Sequence, residues 1–192
     1  MSHPRMNKRS VLQLAQLALL AALSILLVML HFPLIPAAPF LEYDMADVPI
    51  LLGTLLYGTQ PGLLILAVVS LVQAFFFGGN GWVGCVMHFV ASGALVVLVG
   101  EIYRRKPSLS RLIVGMAAGA AAMTLLMIPM NLLLTTWFLG TPRDVVVSML
   151  VPAIIPFNLL KGVINCVITA VLFQALQPFL RKYGYILGRS PR

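Results

Sequence analysis

Runs of apolar residues, each closed by a short stretch rich in glycine, proline or charge, divide the chain into six segments. They cover about Val11–Leu30, Val48–Tyr57, Gly62–Phe77, Trp82–Tyr103, Leu112–Phe138 and Pro152–Phe179. The separators are "GTQPG" (Gly58–Gly62), "GGNG" (Gly78–Gly81), "RRKPSLSR" (Arg104–Arg111) and "GTPRD" (Gly140–Asp144). A longer connection, His31 to Ala46, follows the first run and carries Pro33, Pro36 and Pro39. Long connections without structure of their own are commonly lids or binding segments. The second run is short: ten residues of helix rise about 15 Å, half the hydrocarbon thickness of a bilayer. Either that helix extends into its neighbouring loop, or the protein has an outward-facing depression there. Asp47 is placed to act as its N-cap, with Pro49 tolerated in the first turn.

The pattern predicts an all-α integral membrane protein: a compact bundle of six transmembrane helices forming a single membrane domain over residues 1–192. Short tails lie at about 1–10 and 181–192, and a lid loop at about 31–47. Composition agrees, since 60% of the residues are hydrophobic, 9% are charged and the mean hydropathy is +1.00. A soluble domain is roughly one quarter charged. The first run has the length of a full span rather than of a signal-peptide core, and is taken as the first helix. Cys85 and Cys166 lie inside apolar runs without metal-ligand spacing and read as small buried hydrophobes.

The net charge of +8 does not point to nucleic acid, because the basic residues cluster at the ends of spans. The clusters are Arg5, Lys8 and Arg9; Arg104, Arg105, Lys106 and Arg111; and Arg181, Lys182, Arg189 and Arg192. By the positive-inside rule all three face the cytoplasm, which places both termini there. Glu42, Asp44, Asp47 and Asp144 then fall outside. Three of the chain's five acids stand between positions 42 and 47, on the lid.

The sixth run contains "PFNLLKGVIN", in which Asn158, Lys161 and Asn165 lie at i, i+3 and i+7 and share one helical face. An ammonium inside a membrane costs about 2.5–3.5 kcal/mol on insertion scales and marks a functional site by default. Asn131, near the outer end of the fifth run, lies at similar depth. Two accounts stand side by side. In one, Lys161 snorkels to a lid carboxylate, Asp44 or Asp47, while the asparagines bond between helices. In the other, these groups converge on a polar ligand. Pro152 and Pro156 make the start of this span kinked or loose. His88, in the fourth run, reads as a helix-packing histidine, and Glu101 and Asp144 as a span end and a helix start.

Enzymatic signatures are lacking. The sequence has no G-x-x-x-x-G-K-[ST] phosphate loop, no H-E-x-x-H and no G-x-S-x-G, and no cofactor or metal is expected. ATP hydrolysis, if coupled, must come from partners. Ala18 and Ala22 form an A-x-x-x-A spacing, and Gly115 and Gly119 a G-x-x-x-G that reads as internal helix packing.

"LEYDMADVPILLGTLLYGTQPGLLI" followed by "PFNLLKGVIN" resembles the riboflavin-specific substrate-binding (S) components of energy-coupling factor (ECF) vitamin transporters. The resemblance runs from about Val11 to Leu180, with "YD-x-x-D-[VI]-P" and "N-x-x-K" its specific parts. Val48 stands where the family commonly has isoleucine. The resemblance implies a six-helix bundle in the bacterial plasma membrane that captures riboflavin from outside, not an enzyme. It further implies that Asn131, Asn158 and Lys161 contact the vitamin and that Leu41 to Asp47 form the lid; Leu41, Tyr43, Asp44 and Asp47 of the lid, and Asn165 on the shared helical face, are taken with them as substrate-binding residues. Ala18 and Ala22 match the docking motif for a transmembrane coupling subunit, which works with two ATPase subunits. Phe40, Tyr43 and Trp137 are candidates to pack on the flavin ring, Trp137 equally an interfacial anchor. Acceptance of FMN and analogues is left open. So are two alternatives: an S component for another vitamin, and a membrane assembly protein whose polar residues serve only packing.

Overall fold

All six apolar segments form helices that pack into one bundle. The computed structural model describes residues 8–36, 38, 41–77 and 81–182. Helix α1 spans Lys8–Val28, α2 Asp47–Tyr57, α3 Thr59–Val72 with a π-helical extension Gln73–Phe77, and α4 Gly81–Arg105. Helix α5 runs over Leu109–Met130, a π segment Asn131–Thr135 and a last turn Thr136–Phe138. Helix α6 comprises Arg143–Met149, a π segment Leu150–Ile154 and Ile155–Lys182. Five of the six are long and apolar enough to cross a membrane, and α2 alone is too short.

Three local expectations are corrected. Helix α6 starts at Arg143 rather than Pro152. The donorless Pro152 does not end the helix; it sits within a widened π turn, where the ladder is already irregular, and Pro156 follows. The "GTQPG" turn shrinks to Gly58 alone, whose φ of 105° only glycine adopts readily. Pro61 falls in the first turn of α3, where its missing N–H has no intrahelical partner to lose. Asp47 is not the N-cap of α2: Ala46 occupies that position in helical conformation, and Asp47 is the first helical residue. Its carboxylate turns inward to α4 and α6 instead. Phe40, the Gly78–Asn80 part of the "GGNG" turn, Arg5, Arg189 and Arg192 lie outside the described residues.

Helix α2 is the central element. Every residue from Asp47 to Leu55 is buried, and α1, α3, α4 and α6 all pack on it. Its first residue meets Asn165, two turns beyond Asn158 along α6. At about 1.5 Å per residue, such a helix fills only half of the bundle's depth. The other half of the interior is left to the lid and to a cavity.

The lid has structure of its own. Phe32–Pro33 pairs antiparallel with Glu42–Tyr43, with Phe32 opposite Tyr43 and Pro33 opposite Glu42. The Phe32 and Tyr43 rings meet edge to face at 5.4 Å, and Ser24 Oγ of α1 donates to Ala46 O at 2.9 Å, tying down the lid's far end.

Gly115 and Gly119 pack α5 on α4, the internal use expected of the G-x-x-x-G. A Cβ on Gly115 would stand 3.2 Å from Val99 Cα, and one on Gly119 would stand 3.2 Å from both Leu95 Cα and Leu95 O. Backbone cannot give way as a side-chain tip can. Gly119→Val is therefore expected to destabilise the fold by about 1–3 kcal/mol, seen as a lower thermal midpoint in detergent. An unchanged midpoint would contradict this packing.

Candidate ligand-binding site

Beneath the lid, between α3, α4, α5 and α6, lies a cavity of about 670 Å³. This is within the range of small-molecule sites, about 300–1,000 Å³. Its apolar surface is soft and flat-sided: Met87, Met123, Met127, Met149 and Phe157 contribute. Methionine adapts to aromatic faces through its flexible thioether. All three π segments line the cavity, through Gln73 and Ala74, Asn131 and Thr135, and Ile154. Such segments widen a helix by one residue per turn and recur at functional sites.

On the α5/α6 side Asn131, Asn158 and Lys161 reach the cavity wall, with Thr135 beside Asn131. Asn131 Nδ2 donates to Met127 O and Asn158 Nδ2 to Ile154 O, each at 2.8 Å. A carbonyl can only accept, so the carboxamide orientations are fixed. The oxygen of each is the group it can offer a ligand; Asn131 Oδ1 also accepts from Thr135 Oγ1 at 3.4 Å. Lys161 Nζ donates to Asp44 Oδ2 at 2.8 Å, and both side chains are buried. The ammonium carries three donors, and this pair uses one. Asp44 Oδ1 accepts from Ala46 N at 3.0 Å, so one carboxylate both shapes the lid and latches it to α6.

Of the residues singled out from the sequence, Leu41, Asp44, Asn131, Asn158 and Lys161 line the cavity. Tyr43, Asp47 and Asn165 do not; they form the polar layer that carries it. Tyr43 Oη donates to Asn165 Oδ1 at 2.8 Å, and Asn165 Nδ2 donates to Asp47 Oδ2 at 3.3 Å and to Asp44 O at 3.4 Å. Burial raises the Tyr43 phenol above its ordinary value, which keeps it a hydrogen donor. His88 joins this layer, its Nε2 3.4 Å from Asp47 Oδ1 and its Nδ1 3.1 Å from Ser70 Oγ. It also lines the cavity, so it does more than pack helices. Trp137 is 72% exposed and away from the cavity, as an interfacial anchor would be. Among the described residues Phe157 is the one Phe, Tyr or Trp that lines it, and its only mark along the chain is its place one residue before Asn158.

Along one flank of α1, Leu14, Ala18, Ala22 and Leu26 are all exposed. Only 17% of the apolar window of α1 is buried, so this helix offers most of its surface to something outside the bundle.

Residues 12–173 match the family model described as "ECF transporter, substrate-specific component". The chain is 30% identical over 162 residues to the riboflavin transporter FmnP of Bacillus subtilis (strain 168), covering 80% of this chain and 85% of that one. It is 27% identical over 159 residues to the riboflavin transporter RibU of Staphylococcus aureus (strain TCH60), covering 80% and 84%. In three dimensions it resembles a solved S component of a bacterial ECF transporter, with a TM-score of 0.77 at 29% identity, over 89% of this chain and 98% of that one.

Proposed function

The chain belongs to the family of ECF transporter substrate-specific components, and from that premise we propose that it is the riboflavin-binding subunit of an ECF importer. It is a multi-pass protein of the bacterial plasma membrane, and its family are transporter components rather than enzymes. The observation that carries the ligand assignment is the polar pole of the cavity: one ammonium, Lys161, beside two carboxamides whose oxygens are the groups on offer. The imide edge of a flavin alternates carbonyl, N–H and carbonyl. It therefore presents acceptors to Lys161 and a donor to an asparagine oxygen. The methionines and Phe157 suit the flat apolar ring.

Capture proceeds from the lid side, which faces outward, while the basic ends of the helices face the cytoplasm. As an ECF substrate-specific component the chain works with a transmembrane coupling subunit and two ATPase subunits, in keeping with a sequence that has no G-x-x-x-x-G-K-[ST] phosphate loop. The exposed Ala18 and Ala22 support docking there, because small residues let a partner helix approach closely.

Competition tests the ligand assignment against an S component for another vitamin. Riboflavin fluorescence should be quenched saturably at one ligand per chain, and excess thiamine or biotin should not displace it. Displacement by another vitamin at equal or lower concentration would reassign the substrate. A packing-only role for the polar residues predicts no quenching at all.

A further inference from the structure

Among the described residues, three buried side-chain polar atoms have no hydrogen-bond partner: Gln73 Oε1, Ser92 Oγ and Thr136 Oγ1. Unmet buried polar groups cost about 1–3 kcal/mol each and call for an explanation. Ser92 also lines the cavity, but it lies against the Asp47 carboxylate, which gives its hydroxyl a use within the supporting layer. Thr136 does not line the cavity. Gln73 remains. It opens the π segment of α3 and lines the cavity, and its carboxamide oxygen has no surface open to a water-sized group, so a ligand hydroxyl reaches it when the side chain turns toward the cavity. A glutamine serving as an interfacial residue would turn outward, as its exposed neighbours Phe75 and Phe76 do. This one turns in.

Gln73 is also on a different wall from the Lys161 pole, since α3 does not pack extensively on α6. Building on the riboflavin assignment above, we infer that Gln73 is a specificity-determining residue that holds a hydroxyl of the ligand's ribityl tail. The chemistry leaves little else for it to bind. An orphaned acceptor needs a donor, and the only donors on riboflavin are the imide N–H and the tail hydroxyls. The imide N–H lies between the two carbonyls that face Lys161 and the asparagines. A hydroxyl also serves either orientation of the carboxamide, because it both donates and accepts. The cavity thus reads the ring from α5 and α6 and the tail from α3.

Lumiflavin, which has the same ring with a methyl in place of the tail, separates these contributions. In Gln73→Met, of similar shape without hydrogen-bonding capacity, riboflavin affinity by fluorescence quenching should fall about tenfold, with lumiflavin affinity held within about twofold. Retained lumiflavin binding also shows that the variant is folded. Equal weakening of both ligands, or of neither, would overturn the inference. A second measurement needs no variant: the unmodified protein should bind riboflavin at least about tenfold more tightly than lumiflavin. Equal affinities would mean that the tail is not read, leaving the riboflavin assignment standing. Failure to bind either flavin would instead overturn that assignment and this inference with it.

Discussion

Lys161→Met should weaken riboflavin binding by about ten- to hundredfold through the loss of a charge-assisted hydrogen bond alone. The structure adds a second loss, because Lys161 is also the partner of Asp44. Removing one member of a buried ion pair leaves the other uncompensated, at about 3–5 kcal/mol. Here that strain falls on the lid, so Lys161→Met should lower thermal stability as well as affinity. The double variant Asp44→Asn, Lys161→Met separates the two roles. It removes both charges, and replacing a buried pair by neutral groups is often harmless to the fold. Stability should then recover while affinity stays low. If affinity recovers too, Lys161 serves only to latch the lid and leaves the list of ligand contacts.

The second large effect is on transport rather than binding. Ala18→Trp combined with Ala22→Trp should abolish ATP-dependent riboflavin uptake while leaving riboflavin affinity unchanged. Both alanines are exposed on α1 and neither lines the cavity, so bulk added there meets a partner rather than the ligand. Reconstituted vesicles carrying the full complex give the uptake reading, and fluorescence quenching on the isolated subunit gives the other. Normal uptake by the double variant would remove α1 from the docking surface.

Much of this architecture is legible in the sequence because it depends on strong one-dimensional signals. Apolar runs of span length can only be satisfied by helices in a bilayer, and the brevity of the Val48–Tyr57 run already implies a half-filled interior. The i, i+3, i+7 spacing of Asn158, Lys161 and Asn165 fixes a common face whatever surrounds it. The pairing of Lys161 with Asp44 is a different matter. It joins residues 117 apart, and periodicity offers no way to choose Asp44 over Asp47 or a ligand.

What stayed hidden depends on irregular backbone and on single polar residues. The three π segments have no periodic signature, and prolines at 129, 152 and 156 suggest a break as readily as a widened turn. A helix that continues through Pro152 does so because its neighbours bury it, which the local sequence cannot express. Asp47 has the residue type and position of an N-cap, but His88 and Asn165 offer its carboxylate buried partners in place of the helix end. His88 and Gln73 are isolated polar residues in apolar runs. Their only signal was the cost of being there, and it gains meaning once the cavity is known to lie beside them.

The cavity beneath the lid, on this reading, holds a flavin. The most direct test is the visible absorption spectrum of the protein purified in detergent after exposure to riboflavin and thorough washing. A flavin band at close to one equivalent per chain, lost in the Asp44→Asn, Lys161→Met variant, is the predicted result. A colourless protein that also fails to quench added riboflavin would contradict it.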